Sequence, residues 1–194
     1  MPTSALLDDW LRAHGAASAD DAERADLDRM HALVQNAGDD AFSRRHFAPG
    51  HFTCSAFVVR GAELLLIHHT KLQRWLQPGG HVELDDDTLL EGARREAHEE
   101  THVPLLQLRH VAGAHGPIFD VDIHTIPARK DEPAHDHFDV RFLFVVDDDV
   151  EVAAGDGVSD VQWMPFDDVT EAATDASVMR AVHKLKQQAI AASG

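Results

Sequence analysis

The sequence predicts an α/β fold: an α/β/α sandwich on a mixed β-sheet, with an N-terminal helical extension. Three observations carry this. Apolar residues recur every three or four positions in two segments at the N-terminus, in one mid-chain segment and in one at the C-terminus; runs rich in β-branched and aromatic residues lie between them; and no internal repeat is present. The 194 residues, 44% of them hydrophobic, suffice for one core and are too few for two.

In chain order, Ser4 to His14 and Asp20 to Asn36 read as helices, with Leu6, Leu7, Trp10 and Leu11, then Ala25, Leu27, Met30, Leu33 and Val34, at helical spacing. Their expected role is structural, covering a flank of the core or making a homodimer contact. His51 to Arg60 and Glu63 to His69 read as strands joined by a hairpin at Gly61-Ala62. A helix follows from Thr88, then strand-like runs at Leu105 to Ala112, Pro117 to Ile126, Val140 to Val146 and Val158 to Met164, and a last helix from about Ser177 to Ala191.

The mid-chain helix is electrostatically unusual. At about 100° per residue, Leu89, Leu90, Ala93 and Ala97 form an apolar stripe, while Glu96, Glu99 and Glu100 share an arc of roughly 100° with Glu100 beside that stripe. A solvated face would set its charges opposite the core. Carboxylates at the core margin repel one another and lose hydration, and a hard divalent cation among clustered oxygens resolves both problems. Glu91, Arg95 and Glu99 stand four apart, so Arg95 can hold neighbouring carboxylates. Thr88 with Glu91 makes a capping box, and Gln77-Pro78-Gly79-Gly80 is a turn that lets backbone approach a ligand closely.

The segment Gly79 to Val103, GGHVELDDDTLLEGARREAHEETHV, resembles the signature of the Nudix hydrolases, most closely at Arg95-Glu96-Ala97-His98-Glu99-Glu100-Thr101. Two departures stand out. Arg95 comes one residue later than the pattern, leaving the loop-acid position to Asp86 or Asp87, and His102 replaces the glycine that ends the helix. The resemblance covers roughly Phe52 to Phe166 and implies a Nudix-type sandwich over residues 49–194 with residues 1–48 as a helical extension packed on it. It also implies Mg2+, or Mn2+ in its place, held by Glu96, Glu100 and the Gly80 carbonyl, with Glu99 as ligand or base and Arg95 orienting them. Glu83, Asp86 and Asp87 are the candidate loop acids. The implied activity is hydrolysis of a nucleoside diphosphate linked to another group, water attacking a phosphorus. The alternative is a non-catalytic Nudix-type domain that binds a nucleotide as sensor or regulator. Isoprenoid diphosphate isomerisation on the same fold would need a cysteine in a polar site, and Cys54 lies in an apolar strand.

A second cluster, His135-Asp136-His137-Phe138-Asp139-Val140-Arg141-Phe142, enters a strand. Alternation puts His135, His137, Asp139 and Arg141 on one side, a polar face suited to substrate phosphate, an extra metal or contact with the helix glutamates. His124 is a candidate for the same face. Trp75 and His81 flank the turn and are candidates to stack on or bond to substrate, whereas His68 and His69 read as structural.

A formal charge of -17 disfavours nucleic acid and anionic membranes as partners, while a small phosphorylated substrate beside bound magnesium remains compatible. There is no 18-residue apolar run and no basic region ahead of an apolar stretch in MPTSALLDDW, and the single cysteine excludes an internal disulfide. A cytoplasmic enzyme is the expectation.

Overall fold

The structure is a computed structural model that describes residues 1–16, 20–113, 115–155 and 157–192. Its centre is β1 (Gly50–Arg60), eleven residues long and buried along almost all its length. Through its last two residues, Val59 and Arg60, β1 pairs with β2 (Glu63–His69) across a tight turn, where Gly61 takes φ 55. That left-handed conformation is open to glycine at little cost. Along its other edge β1 runs parallel to β7 (His135–Val145), from Gly50↔Asp136 to Val59↔Val145. The remaining pairs are antiparallel: β2 with β3 (Arg74–Leu76) and with β8 (Val158–Pro165), β1 with β4 (Gly79–His81), and β7 with β5 (Arg109–His110) and β6 (Asp120–Ile126). The sheet is therefore mixed, as expected.

Strand alternation divides the core in two. Phe52, Cys54, Ala56 and Val58 of β1 join Phe138, Val140 and Phe142 of β7 under α3 (Leu89–Thr101), whose Leu89, Ala93 and Ala97 they cover. The residues between them, Phe57 and Val59, pack with Leu64, Leu66 and Leu143 against α4 (Ala176–Ala192) through Val178, Ala181, Val182 and Leu185. Both helical layers are fixed by period 2 in the strands meeting period 3.6 in the helices.

α1 (Ser4–Gly15) and α2 (Asp21–Ala37) add Leu7, Leu11, Leu27, Met30 and Leu33 to the α3-side core, and the Trp10 ring meets Phe142 edge-on at 6.1 Å. Of the two roles expected for these helices, covering the core is the one the described residues display. Each helix starts where a side chain satisfies a free amide: Thr3 accepts from Leu6, Asp20 from Glu23, and Thr88 from Glu91. At its other end α3 stops at His102, φ 58, whose N–H bonds to the His98 carbonyl. Histidine thus takes the left-handed role that the pattern gives to glycine.

One expected strand is mostly absent. Leu105 to Gln107 form a 3-10 turn after Pro104, and only Arg109 and His110 pair with β7. Leu105 and Leu106 have no neighbouring strand to cover them and are exposed, so apolar character alone did not make a strand there. No helix among the described residues is long and apolar enough to cross a membrane.

Candidate active site

The acidic helix is held against β4, a three-residue strand in the segment that the sequence suggests is only a turn. Arg95 is the hub. Its Nε and Nη2 donate to the two oxygens of Asp86 at 3.0 Å each, Nη2 also to the His81 carbonyl at 2.9 Å, and Nη1 to Glu96 at 2.9 Å and Glu99 at 3.1 Å. Burial works against the charge of Arg95, but the hydrogen bonds with Asp86 and the charge of Glu96 overcome it and hold the guanidinium protonated. Asp86 is buried, and its carboxylate also accepts from the Glu83 N–H at 2.8 Å, whereas Asp87 is exposed. Of the candidate loop acids, Asp86 is the one that pairs with Arg95 through both carboxylate oxygens. Glu83 stands farther off, 4.0 Å from Arg95 Nε.

Glu100 accepts from the Gly79 N–H at 3.0 Å, and Glu96 lies directly over Gly80. Burial, and then repulsion from Glu96 and Glu99, pushes Glu100 up to about 8; burial raises Glu96 as well, partly opposed by Arg95. These are carboxylates short of positive charge, and their all-oxygen chemistry fits a hard dication. Arg95 Nη1 bridges Glu96 and Glu99, and the Gly79 N–H holds Glu100. Among the described residues, the trio whose ligand atoms come within 4.8 Å of one another is His51, His135 and His137. A cavity of about 320 Å³ lined by Arg29, Leu33, Asn36, His46 and Phe138 among others includes no residue of α3.

The glycines of β4 do different work. A Cβ on Gly79 would run into Ser55 Cβ and sit 2.8 Å from the Cys54 carbonyl, so Gly79→Ala is expected to destabilise the fold by about 1–3 kcal/mol in chemical denaturation. A Cβ on Gly80 would instead meet Glu96 Oε1 at 2.5 Å, the end of a flexible side chain. Gly80→Ala is expected to fold normally and to lose magnesium affinity in a calorimetric titration.

The second predicted cluster lies elsewhere. By alternation His135, His137, Asp139 and Arg141 are on the α4 face of the sheet, opposite the glutamates, so the expected contact with them does not occur. Arg141 is 1% exposed and saturated: it bonds Asp139 at 2.9 Å, Asp120 at 3.2 Å, Asp122 at 3.1 Å and Ser177 at 2.9 Å. Asp139 also accepts from Thr53 and Ser55. Expected as substrate contacts, these two residues instead form a buried network that ties β7 to β1, β6 and α4. Trp75, also expected near substrate, meets His68 edge-on at 5.2 Å and packs on the α4-side core.

His135, His137 and His81 do come together, and with them His51, which the sequence reading missed. Register explains it: β6, β7 and β1 set His124↔His137 and His137↔His51 side by side. Rings of His51 and His137 are 4.8 Å apart, His51 and His135 5.1 Å, and His81 5.1 Å from both His51 and His137. The only clue in the sequence was His51 opening a strand. Burial, then neighbouring imidazoles, drives His51 down to about 4 and His137 to about 2. His124 moves the other way, raised by its bond to Asp122 against the effect of burial. A histidine depressed in the folded state stabilises it above the unfolded value of about 6.5 and loses that contribution as pH falls through the folded value. The melting temperature is therefore expected to drop between pH 6.5 and 4, and His51→Asn is expected to flatten that drop in a pH series of thermal melts.

A family model, described as NUDIX domain, matches residues 50–184. The chain belongs to the Nudix family. A protein of Lactococcus lactis subsp. cremoris (strain MG1363), named "Probable DHNTP pyrophosphohydrolase", is 35% identical over 98 residues, which is 50% of this chain and 54% of that protein. The match thus spans about half of that relative's length. Among solved structures, a Caenorhabditis elegans Ap4A hydrolase binary complex is similar at TM-score 0.57 and 17% identity, covering 72% of this chain and 98% of its own. The NUDIX domain of Shewanella oneidensis NrtR complexed with ADP ribose follows at TM-score 0.53 and 17% identity, covering 81% and 96%. At such identities these two establish the shared fold of this Nudix domain. Burial also pushes the Cys54 thiol well up, and it faces the core beneath α3, a setting for packing and not for a catalytic thiol.

Proposed function

We propose that this Nudix protein is a divalent-metal-dependent hydrolase that cleaves the diphosphate of a nucleoside diphosphate joined to another group, with water attacking one phosphorus. The observation that carries the reading is the set Glu96 and Glu99 on Arg95 and Glu100 on the Gly79 N–H, with Glu96 and Glu100 raised by burial and by neighbouring carboxylates. The relative named a pyrophosphohydrolase supports the reaction class.

Glu96, Glu100 and the Gly80 carbonyl would hold magnesium or manganese, with Glu99 beside them. When bound, such a cation neutralises charge developing on phosphoryl oxygens and lowers the pKa of water. The chain supplies the rest. Arg95, fixed by Asp86 and the His81 carbonyl, sets the angle of Glu96 and Glu99, and the Gly79 N–H fixes Glu100. Glu99 is the exposed acid of the three and is the group we assign to take the proton from the attacking water.

The test is a panel of nucleotide sugars, ADP-ribose, dinucleoside polyphosphates and oxidised nucleotides, each with magnesium or manganese and scored for every product. Metal-dependent cleavage abolished by chelator, with one oxygen from labelled water in a product phosphate, is the expected result. Magnesium-dependent heats of binding with no product from any member would overturn it and favour a ligand-binding module.

A further inference from the structure

The histidine row is not used by the chemistry above, and it is separated from the glutamates by the thickness of the sheet. We propose that His51, His135 and His137 form a binding site for one transition-metal dication of the zinc class, distinct from the hard-cation site on α3.

One ligand atom from each of the three residues lies within 4.8 Å of the others, and two are on buried side chains. Nitrogens sharing a tetrahedral zinc are about 3.3 Å apart, given bonds of about 2.0–2.1 Å, so modest ring rotations close the trio on an ion. The sheet fixes the arrangement, because His51 and His137 are register partners on β1 and β7, and His135 is two residues along β7 on the same face.

Hydrogen bonding gives a second, independent argument. Nδ1 of His135 is 2.8 Å from the Pro133 carbonyl and Nδ1 of His51 is 3.3 Å from the His46 carbonyl. A carbonyl only accepts, so each Nδ1 carries the proton and each Nε2 presents a lone pair. Carbonyls in this position orient metal-ligating imidazoles in the same way. His51 Nε2 is, moreover, buried with no hydrogen-bond partner. Such an orphan normally costs about 1–3 kcal/mol, and a coordinate bond removes the cost.

The chemistry of the donors selects the ion. Three imidazoles suit zinc, cobalt, nickel or copper and offer magnesium nothing it prefers. An anion in the same place would need these rings protonated side by side, where like charges repel. Three protein nitrogens leave a fourth position open, as in zinc sites that bind a further ligand.

The test uses the full chain without a histidine tag, with magnesium in millimolar excess so that the glutamates are occupied. Zinc is titrated by calorimetry and cobalt by its visible absorption. One equivalent is expected, with a nitrogen-ligated cobalt spectrum, retained in Glu96→Gln and weakened at least about tenfold in His137→Asn, since even outer partners of metal-bound histidines are worth about 10–100-fold. Binding no tighter than millimolar, or binding lost in Glu96→Gln and unchanged in His137→Asn, would overturn the proposal. Should His137→Asn and His135→Gln both fail to fold, pulsed paramagnetic resonance of copper on the unaltered chain decides it: three coupled imidazoles support the site and fewer overturn it.

Discussion

Glu100→Gln is expected to lower metal-dependent turnover about a hundredfold or more while leaving the melting temperature in chelator at pH 8 unchanged or higher. The kinetic half follows from losing one carboxylate of a dication site, because Lewis-acid stabilisation is worth several kcal/mol and 1.4 kcal/mol is a factor of ten. The stability half follows from burial. Glu100 titrates near 8 in the fold against 4.5 when free. A carboxyl raised in this way contributes stability that is full below 4.5 and is lost as pH rises through 8. At pH 8 the metal-free protein therefore bears a partly ionised, desolvated carboxylate that glutamine removes, and the glutamine carbonyl can still accept from Gly79. Adding magnesium should reverse the order, raising the melting temperature of the unaltered chain and not that of the variant. A Glu100→Gln protein with full turnover, together with a fully active Glu99→Gln, would rule out the proposed chemistry.

Arg141→Met is expected to cost about 3–5 kcal/mol, a fall of roughly 6–20 °C in melting temperature for a chain of this size. Methionine is apolar and of similar length, so little packing is lost. What remains is three buried or near-buried carboxylates, Asp120, Asp122 and Asp139, that have lost the cation between them. Arg180 and Lys184 reach Asp120 from α4 and soften the loss there, but among the described residues no other cation reaches Asp139. Had Arg141 served a substrate phosphate, as its residue type suggests, the variant would fold normally and show a raised KM. Thermal melts and kinetics on the same preparation separate the two outcomes.

The two residues illustrate how far a linear reading goes. Helical spacing, the capping box at Thr88 and the glutamate arc depend on neighbours within four residues, so α3 and its acids were legible, as were the boundaries of α1, α2, β1 and β2 to within a residue or two. The choice between Asp86 and Asp87 was not, because it rests on which carboxylate meets Arg95 nine residues away after the chain turns. β4 was hidden for a similar reason: three residues with two glycines carry no strand signal, and they pair only because β1 already lies there.

By itself, then, the sequence determined the sandwich, the family and the acidic helix, since each is written in local periodicity or in a motif of constrained spacing. The tertiary structure alone decided where the histidines and Arg141 lie and which groups they meet. Alternation correctly put His135, His137, Asp139 and Arg141 on one face, but which face, and which partners, depended on β1 lying parallel to β7 with His51 opposite His137. A shift of one residue in that register would move every imbedded side chain to the other side of the sheet, away from His51 and toward the glutamates. Register is set by contacts between segments some 85 residues apart, as in the Thr53 and Ser55 bonds to Asp139, and no local pattern encodes them.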